Sequence, residues 1–373
     1  MTVNIYTMTH KKFDPPKGDT YIPLQVGSAL HEDLGYLRDD KGDNISLLNP
    51  YYAELTGMYY IWKNIKDADI TGICHYRRYP VDGFNRAMSA SEYEMILKSH
   101  DLITSKLIRL PNSYYYGFKQ NHNILDLKAA IKAVRDLYPS DAELFERILD
   151  SDRTYFGNIF VTKKKLYDEY CSWLFPVFER VHKIRGKDIA SYDDYHKRVY
   201  GFISEILLYV WVSANRFKAY ECRIGMLSEK KETGDLKDRI DGFFKHKDIE
   251  GAGEYIKETL KKRPDLMMEA SDPNGELRLL LEIIAMCDRE DNRLLDMGLE
   301  TEGLLQYVKA INRKVMCDMG KSDPSEWKRL NNNSGVMIGS EEDLSLLSKY
   351  PPTDTELEIS KLLFNSAGEI PCL

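Results

Sequence analysis

The chain has no CxxC pair. Its six cysteines (Cys74, Cys171, Cys222, Cys287, Cys317 and Cys372) are scattered along 373 residues, which argues against a zinc knuckle or a disulfide framework and favours a reducing compartment. Nor is there an excess of basic residues. With 52 Lys and Arg against 59 Asp and Glu, the formal charge is −7, whereas a general nucleic-acid binder carries a basic face to displace counterions from phosphates. The opening MTVNIYTMTHKKF lacks the charged, apolar and small-residue regions of a signal peptide, and no run approaches the roughly 18 apolar residues of a membrane span. A cytoplasmic location is expected, with peripheral contact at the inner face of a membrane. There is no GxxxxGK[ST] loop and no HRD or DFG set, which lowers the prospect of a phosphotransferase or nucleotidyltransferase.

What is present is a 43% hydrophobic chain, enough for one large core and a smaller module. Up to Glu232, short apolar runs alternate with helical patterns, as in an α/β sheet covered by helices. VNIYTMT reads as a first strand and KKFDPPKGDTYIPLQVG as a loop. In NPYYAELTGMYYIWKN, Asn49 is placed to cap a helix, Pro50 to open it, and Leu55, Met58, Tyr59 and Trp62 recur at helical spacing. That helix leads into the strand DITGICHY. HDLITSK is a further strand, ILDLKAAIKAVRDLYP a helix ended by Pro139, YFGNIFVTKKKLYDEYCSWLFPVF a strand feeding a helix, and GFISEILLYVWVSAN an apolar helix closing the domain. From residue 233 the texture is nearly all helical. The expected domains are therefore 1–232 (α/β) and 233–373 (helical), the latter a small bundle whose first hairpin has the look of a repeat unit. RLNNNSGVMIGSEED reads as a loop, and the last residues as a short helix with a frayed end.

Ligands of open α/β sheets bind beyond the carboxyl ends of the strands. After the first strand come Thr9, His10 and Lys11; after DITGIC come His75, Tyr76, Arg77 and Arg78. Guanidinium groups grip phosphate oxygens bidentately, so these two strand ends form a candidate diphosphate cradle. GYLRDDKGDNIS adds Arg38, Asp40 and Asn44 as candidate ribose or base contacts, and its three aspartates could hold a hard cation. The triplets Asp67-Ala68-Asp69 and Asp150-Ser151-Asp152 precede strands, at the wrong edge for a metal that bridges a diphosphate.

Taken together, IYTMTHKKF, YIPLQVGSAL, LRDDKGDNIS, YAELTGMYYIWKN, GICHYRRY, YFGNIFVTKKKLYDEYCSWLF and GFISEILLYVW resemble a bacterial family of formerly unassigned domains found among capsular and exopolysaccharide glycosyltransferases. The resemblance spans about residues 3–228 and leaves the carboxy-terminal helices outside it. It implies a GT-A-like, Rossmann-related fold and transfer of a hexose, galactopyranose or galactofuranose, from a UDP-sugar donor to a surface-polysaccharide acceptor that is lipid-linked, with inversion. A divalent metal, Mn²⁺ or Mg²⁺, is left open with no ligands assigned.

Inverting transfer needs a carboxylate to take the acceptor's proton and cations to stabilise the leaving diphosphate. Glu205, read as opening an apolar helix, is the expected base, with Asp194 of SYDDY, beside Asp193, as runner-up. His75, Arg77 and Arg78 are assigned to the leaving group, Glu54 to the donor, with Thr56 on the same helix, and Asn158 and Tyr155 to the acceptor. Tyr114, Tyr115, Tyr116, Phe118 and Trp173 are aromatic candidates for sugar stacking, more often simply core. The rival reading is a non-catalytic module that binds nucleotide-sugars or glycans.

Overall fold

A computed structural model describes residues 1–84, 86–226, 231–267, 271–272, 274–319 and 341–365. The chain divides into two compact units, Met1–Leu227 and Ser228–Leu373. Among the described residues no helix is long and apolar enough to cross a membrane.

The described residues of the first unit form ten strands: β1 (Val3–Thr9), β2 (Tyr21–Gln25), β3 (Leu37–Arg38), β4 (Ile70–His75), β5 (Arg78–Val81), β6 (Leu102–Ser105), β7 (Ile108–Arg109), β8 (Arg153–Thr154), β9 (Phe160–Lys163) and β10 (Ala219–Met226). Its helices are α1 (Asn49–Tyr52), α2 (Leu55–Asn64), α3 (Ala90–Ile96), α4 (Tyr114–Asn121), α5 (Ile124–Leu137), α6 (Pro139–Leu149), α7 (Lys164–Ile189) and α8 (Val199–Ala214). Strands β1, β2, β3 and β4 are parallel, with Ile5 opposite both Tyr21 and Gly72. The fold is mixed α/β, as expected.

The sheet is not simply open. β4 gives residues Ile70–Ile73 to antiparallel β9 and then His75 to antiparallel β5. β9 pairs with β6, β6 with β10, and β10 returns to β5. These five strands close a ring, and the carboxyl end of β4 is where β9 hands over to β5.

Several local expectations are corrected. Tyr21–Gln25, taken as loop, is strand β2, and Arg78–Val81 and Ala219–Met226 are strands that were not foreseen. Pro139 does not merely stop α5; it opens α6. The single helix expected from Asn49 is broken at Ala53, whose φ of 49° and ψ of −129° no helix accepts. Asn49 caps nothing: its amide donates to Ala53 O and Thr56 Oγ1, bracing the break.

The larger buried cluster of this unit lies where α5, α7 and α8 bury Leu127, Val134, Leu174, Phe178, Ile203 and Leu207, and a second, with Val3, Ile5, Ile70, Cys74 and Tyr93, covers the opposite face of β1 and β4. Each such side chain contributes roughly 1.5–3 kcal/mol by leaving water. Phe160 of β9 stacks on Tyr167 of α7, which fixes the end of β9.

The second unit is helical: α9 (Lys231–Lys245), α10 (Ile249–Lys262), α11 (Glu276–Arg289), α12 (Arg293–Asp296), α13 (Thr301–Asp318), α14 (Glu341–Lys349) and α15 (Asp354–Asn365). Helix α9 runs across the expected 232/233 boundary. Leu280, Ile284, Val308 and Ile311 of α11 and α13 form its centre with Ile359 of α15. Inside that core Glu282 accepts from Asn312, which in turn accepts from Ser360, and Tyr307 donates to Glu356. Most of RLNNNSGVMIGSEED and the expected frayed terminus lie outside the described residues.

Candidate active site

β1 and β4 run parallel with Met8 opposite His75, so their ends release Thr9–Lys11 and Tyr76–Arg77 side by side. The Tyr76 amide donates to Met8 O, and the Tyr76 ring becomes a hub. His10 meets it edge-on at 5.4 Å between centroids, Phe13 lies at 6.0 Å, and the Lys11 and Arg77 cations stand 5.1 and 5.4 Å from its centroid. Two strand ends far apart in sequence thus do converge.

Arg77 is only 8% exposed, and its Nη1 has no hydrogen-bond partner among the described residues. Such a buried guanidinium nitrogen costs the desolvation of a charged donor. Beside it Arg78 feels burial first, then Arg77, both of which lower its proton affinity, while Glu205 and Glu54 pull it back up.

Continuing the β4–β9 register, in which Ile73 faces Phe160, would set His75 opposite Asn158. The ladder does not continue. Gly157 (φ 89°) and Asn158 (φ 48°) turn the chain into a left-handed corner. A side chain at 157 would be strained by that φ and would stand 3.3 Å from Arg78 Nη1. Both backbone groups of Gly157 and the Asn158 side chain are hydrogen-bonded. His75 Nε2 donates to Gly157 O at 2.6 Å, and the Gly157 amide donates to Glu205 Oε1 at 2.9 Å. The Asn158 amide donates to Glu54 Oε1 at 2.8 Å and to Gly201 O at 3.0 Å, while Oδ1 accepts from Ser204 at 2.8 Å.

Glu54 enters this cluster from the strained Ala53 step between α1 and α2. Its carboxylate packs against Gly201, where a Cβ would lie 3.8 Å away in ordinary contact. The two carboxylates respond oppositely to the site. Burial pushes Glu205 up to about 8, helped by the Glu54 charge and opposed by the Gly157 amide, Arg78 and Arg198. Burial also disfavours charge on Glu54, but His75, Arg198 and the Asn158 amide outweigh it and hold Glu54 below its ordinary value. Burial, with Arg78 and Arg198, lowers His75 to about 4 against the pull of Glu54 and Gly157 O. At neutral pH the cluster therefore holds an ionised Glu54, a largely protonated Glu205 and a neutral His75. Separation of this kind is what lets one site both give and take protons.

The expected residues divide accordingly. Glu54, His75, Arg78, Asn158 and Glu205 come together, with Arg77, His10 and Lys11 on the adjoining strand ends. Several assignments are corrected. His75 is not a cation at neutral pH, and its Nε2 proton belongs to Gly157. Thr9 is buried, and its hydroxyl closes the turn onto Lys11. Arg38 and Asp40 neutralise each other, Nη2 to Oδ2 at 2.6 Å, with Arg38 also donating to Ser28 O. Asn44 closes its own turn through Gly42 O and the Ser46 amide. The neighbouring Asp43 is tied to Asn64 at the far end of α2, a helix length of roughly 15 Å from Glu54.

Asn158, expected at the acceptor, is 4% exposed and fully engaged, and Tyr155 is a core residue against Tyr209. Asp194 is fully exposed and pairs with Lys197, outside the Glu205 network. Glu205 itself does not open its helix. Helix α8 begins at Val199, so Glu205 sits on the second turn and its surroundings, rather than the helix dipole, set its charge. Trp173 is buried against Tyr138, and Tyr114 donates to Phe202 O.

Sequence reasoning missed Arg198, an exposed residue immediately before α8 that acts electrostatically on all three titrating groups. It missed Gly157, Gly201 and Ser204 as well. The GN pair at 157–158 was a legible signal, because both residues tolerate left-handed backbone.

Among the described residues no three His, Cys, Asp or Glu side chains are grouped to hold a metal ion. The aspartates of the 38–46 segment face Arg38, Tyr59 and backbone amides instead, and Asp69 and Asp152 bind the Thr2 amide and Arg109. The residues near the cradle do not fit a divalent ion.

Residues 4–216 match the model of a family described as a domain of unknown function, DUF4422. Among solved structures, the chain is similar to the apo structure of WbbM, a bifunctional glycosyltransferase, with 28% identity and a TM-score of 0.54. That likeness covers 61% of this chain and 46% of WbbM, so the chain spans less than half of that enzyme's length. No curated protein matches. With its match running through the Tyr76 hub, the Gly157–Asn158 corner and Glu205, the chain belongs to the DUF4422 family.

Proposed function

We propose that the first unit is a GT-A-like glycosyltransferase domain that moves a hexose from a UDP-sugar to a glycan acceptor. The observation that carries this reading is a charge imbalance at the carboxyl edge of β1 and β4. Three guanidiniums, Arg77, Arg78 and Arg198, gather there with, among the described residues that act on them, one ionised carboxylate, Glu54, and Arg77 keeps an orphan Nη1. A diphosphate is the anion that guanidinium forks neutralise best. The likeness to a bifunctional glycosyltransferase points the same way.

In this mechanism Glu205, once deprotonated, takes the proton of the acceptor hydroxyl. The hydroxyl oxygen bonds to the anomeric carbon as the bond from that carbon to the diphosphate breaks, and the sugar inverts. Arg77 and Arg78 receive the negative charge that develops on the leaving UDP. A base with a pKa near the working pH combines availability with driving force. The donor sugar is galactose in pyranose or furanose form, and the acceptor a lipid-linked surface polysaccharide at the cytoplasmic face of the membrane. Lys261 and Lys262, exposed on α10, provide cations for peripheral contact with it.

The test is a panel of UDP-sugars offered to the purified chain, with UDP release and donor binding both measured. Turnover with a UDP-hexose supports the reading; binding without turnover would leave a lectin-like module, and neither would overturn the donor class.

A further inference from the structure

Glu54 was expected to touch the donor, but its carboxylate is committed to the protein. It accepts from Asn158 at 2.8 Å and rests against Gly201. The chain gives up backbone comfort to place it. Ala53, immediately before it, has φ 49°, and Asn158, which holds it, has φ 48°. Asparagine tolerates that region, but Ala53, at φ 49° and ψ −129°, lies outside it, and a non-glycine residue held so costs of order 1–3 kcal/mol and is typical of functional sites. A strained step at Ala53 and a left-handed corner at Asn158 converge on one carboxylate, and the same Gly157–Asn158 corner carries the other: Gly157 holds Glu205 while Asn158 holds Glu54. Ser204 on α8 locks Asn158 from behind, one residue before Glu205.

We infer that Glu54 is a positioning residue whose fixed negative charge, set by the Ala53 step and the Asn158 clamp, makes Glu205 the proton-accepting group of the pair. The inference rests on the proposed transfer reaction for its meaning, though not for its measurement.

Every charged neighbour acts in a defined sense. From the α1–α2 break, Glu54 opposes a second negative charge on Glu205. From β5, Arg78 favours that charge, as does Arg198 before α8, and the Gly157 amide favours it by hydrogen bonding. From β4, His75 is neutral at working pH and contributes through its bond to Gly157. From α4, Tyr114 is a neutral phenol well above its ordinary range. Glu54 is the one neighbour whose charge strengthens Glu205 as a base.

The experiment compares wild type, Glu54→Gln, Glu54→Asp and Arg198→Gln by two readouts. One is the pH profile of kcat/KM; the other is the titration of the Glu205 carboxyl by infrared difference spectroscopy, identified by its loss in Glu205→Gln. Glu54→Gln is expected to move the Glu205 midpoint down by about one pH unit or more and to lower kcat with little change in donor KM. Glu54→Asp keeps the charge and is expected to keep the midpoint near that of wild type. Arg198→Gln, at an exposed position that folding tolerates, is expected to move the midpoint upward. A Glu205 midpoint unmoved by Glu54→Gln would overturn the inference; so, if that variant does not fold, would a midpoint displaced by about one pH unit or more in the charge-keeping Glu54→Asp. Correct infrared shifts with no transferase activity in the wild type would sink the transfer reading and leave the coupling standing.

Discussion

The Gly157 amide donates to Glu205 Oε1 at 2.9 Å, while the carbonyl of the same residue accepts from His75 Nε2 at 2.6 Å. One glycine in a left-handed corner thereby joins the end of β4 to the second turn of α8. The position of the expected base depends on a backbone group rather than on a side-chain partner, and the consequences can be measured.

Replacing Glu205 by Gln keeps an oxygen for the Gly157 amide but removes the proton acceptor. The expected loss in kcat is about 10²–10⁴-fold, with donor affinity within a few-fold of wild type. UDP release and calorimetric titration with the donor separate the two, and full turnover in this variant would remove Glu205 as base.

With Glu205 raised to about 8, only the fraction deprotonated below that pH can act. The kcat/KM of the wild type should therefore rise with unit slope on a logarithmic plot up to about pH 8 and level off above it. A profile already flat from pH 6 would contradict this.

The same shift has a stability sign. A carboxyl whose proton affinity is higher folded than unfolded contributes stability that is complete below its ordinary range, near 4.5, and is lost as pH rises through about 8. His75, lowered to about 4, does the reverse: its contribution is present above its ordinary 6.5 and lost as pH falls toward 4. Thermal unfolding should show Glu205→Gln melting higher than wild type at pH 9 by several degrees, at roughly 2–4 °C per kcal/mol, with a smaller difference at pH 5.

Arg77 should trade stability for binding. Arg77→Met removes a buried, unsatisfied guanidinium nitrogen and is expected to raise the melting temperature while weakening UDP binding at least tenfold. Charge-assisted hydrogen bonds contribute roughly 1.5–3 kcal/mol, which sets that scale. A variant that binds UDP as tightly as wild type would place the diphosphate elsewhere.

At the corner itself, Gly157→Ala forces a side chain into φ 89° next to Arg78. Loss of about 1–3 kcal/mol of stability is expected, together with a drop in kcat larger than the stability loss explains, because His75, Glu205 and Arg78 all border this residue. Urea unfolding and steady-state kinetics on the same preparation check both halves.

Much of the fold was legible because its signals are local. The burial of β1 and β4 and the apolar face of α5 follow from periodicity alone, and the HYRRY segment stood out as polar chemistry at a strand end. Other elements hid for physical reasons. β2 carries Pro23, yet β3 pairs only with Leu24 and Gln25, so no strand on that side needs the missing amide. β10 buries little besides Cys222, which leaves no alternation to read. The break at Ala53 lies inside an unbroken helical pattern, because strain at one residue does not alter the spacing of its neighbours.

By itself, then, the sequence determined the α/β class, the strand end where the cations gather and the candidacy of Glu205, since each depends on residue type and short-range order. Only the tertiary structure decided which of those groups are available and in what charge state. Arg38 and Asp40 cancel, Asn158 turns from ligand to clamp, His75 loses its charge, and Glu54 and Glu205 part company in protonation. Apart from the Arg38–Asp40 pair, which is two residues apart, these outcomes depend on burial and on neighbours some 40 to 150 residues away in the chain, and desolvation and Coulomb energies are set by distance in space, which no local pattern records.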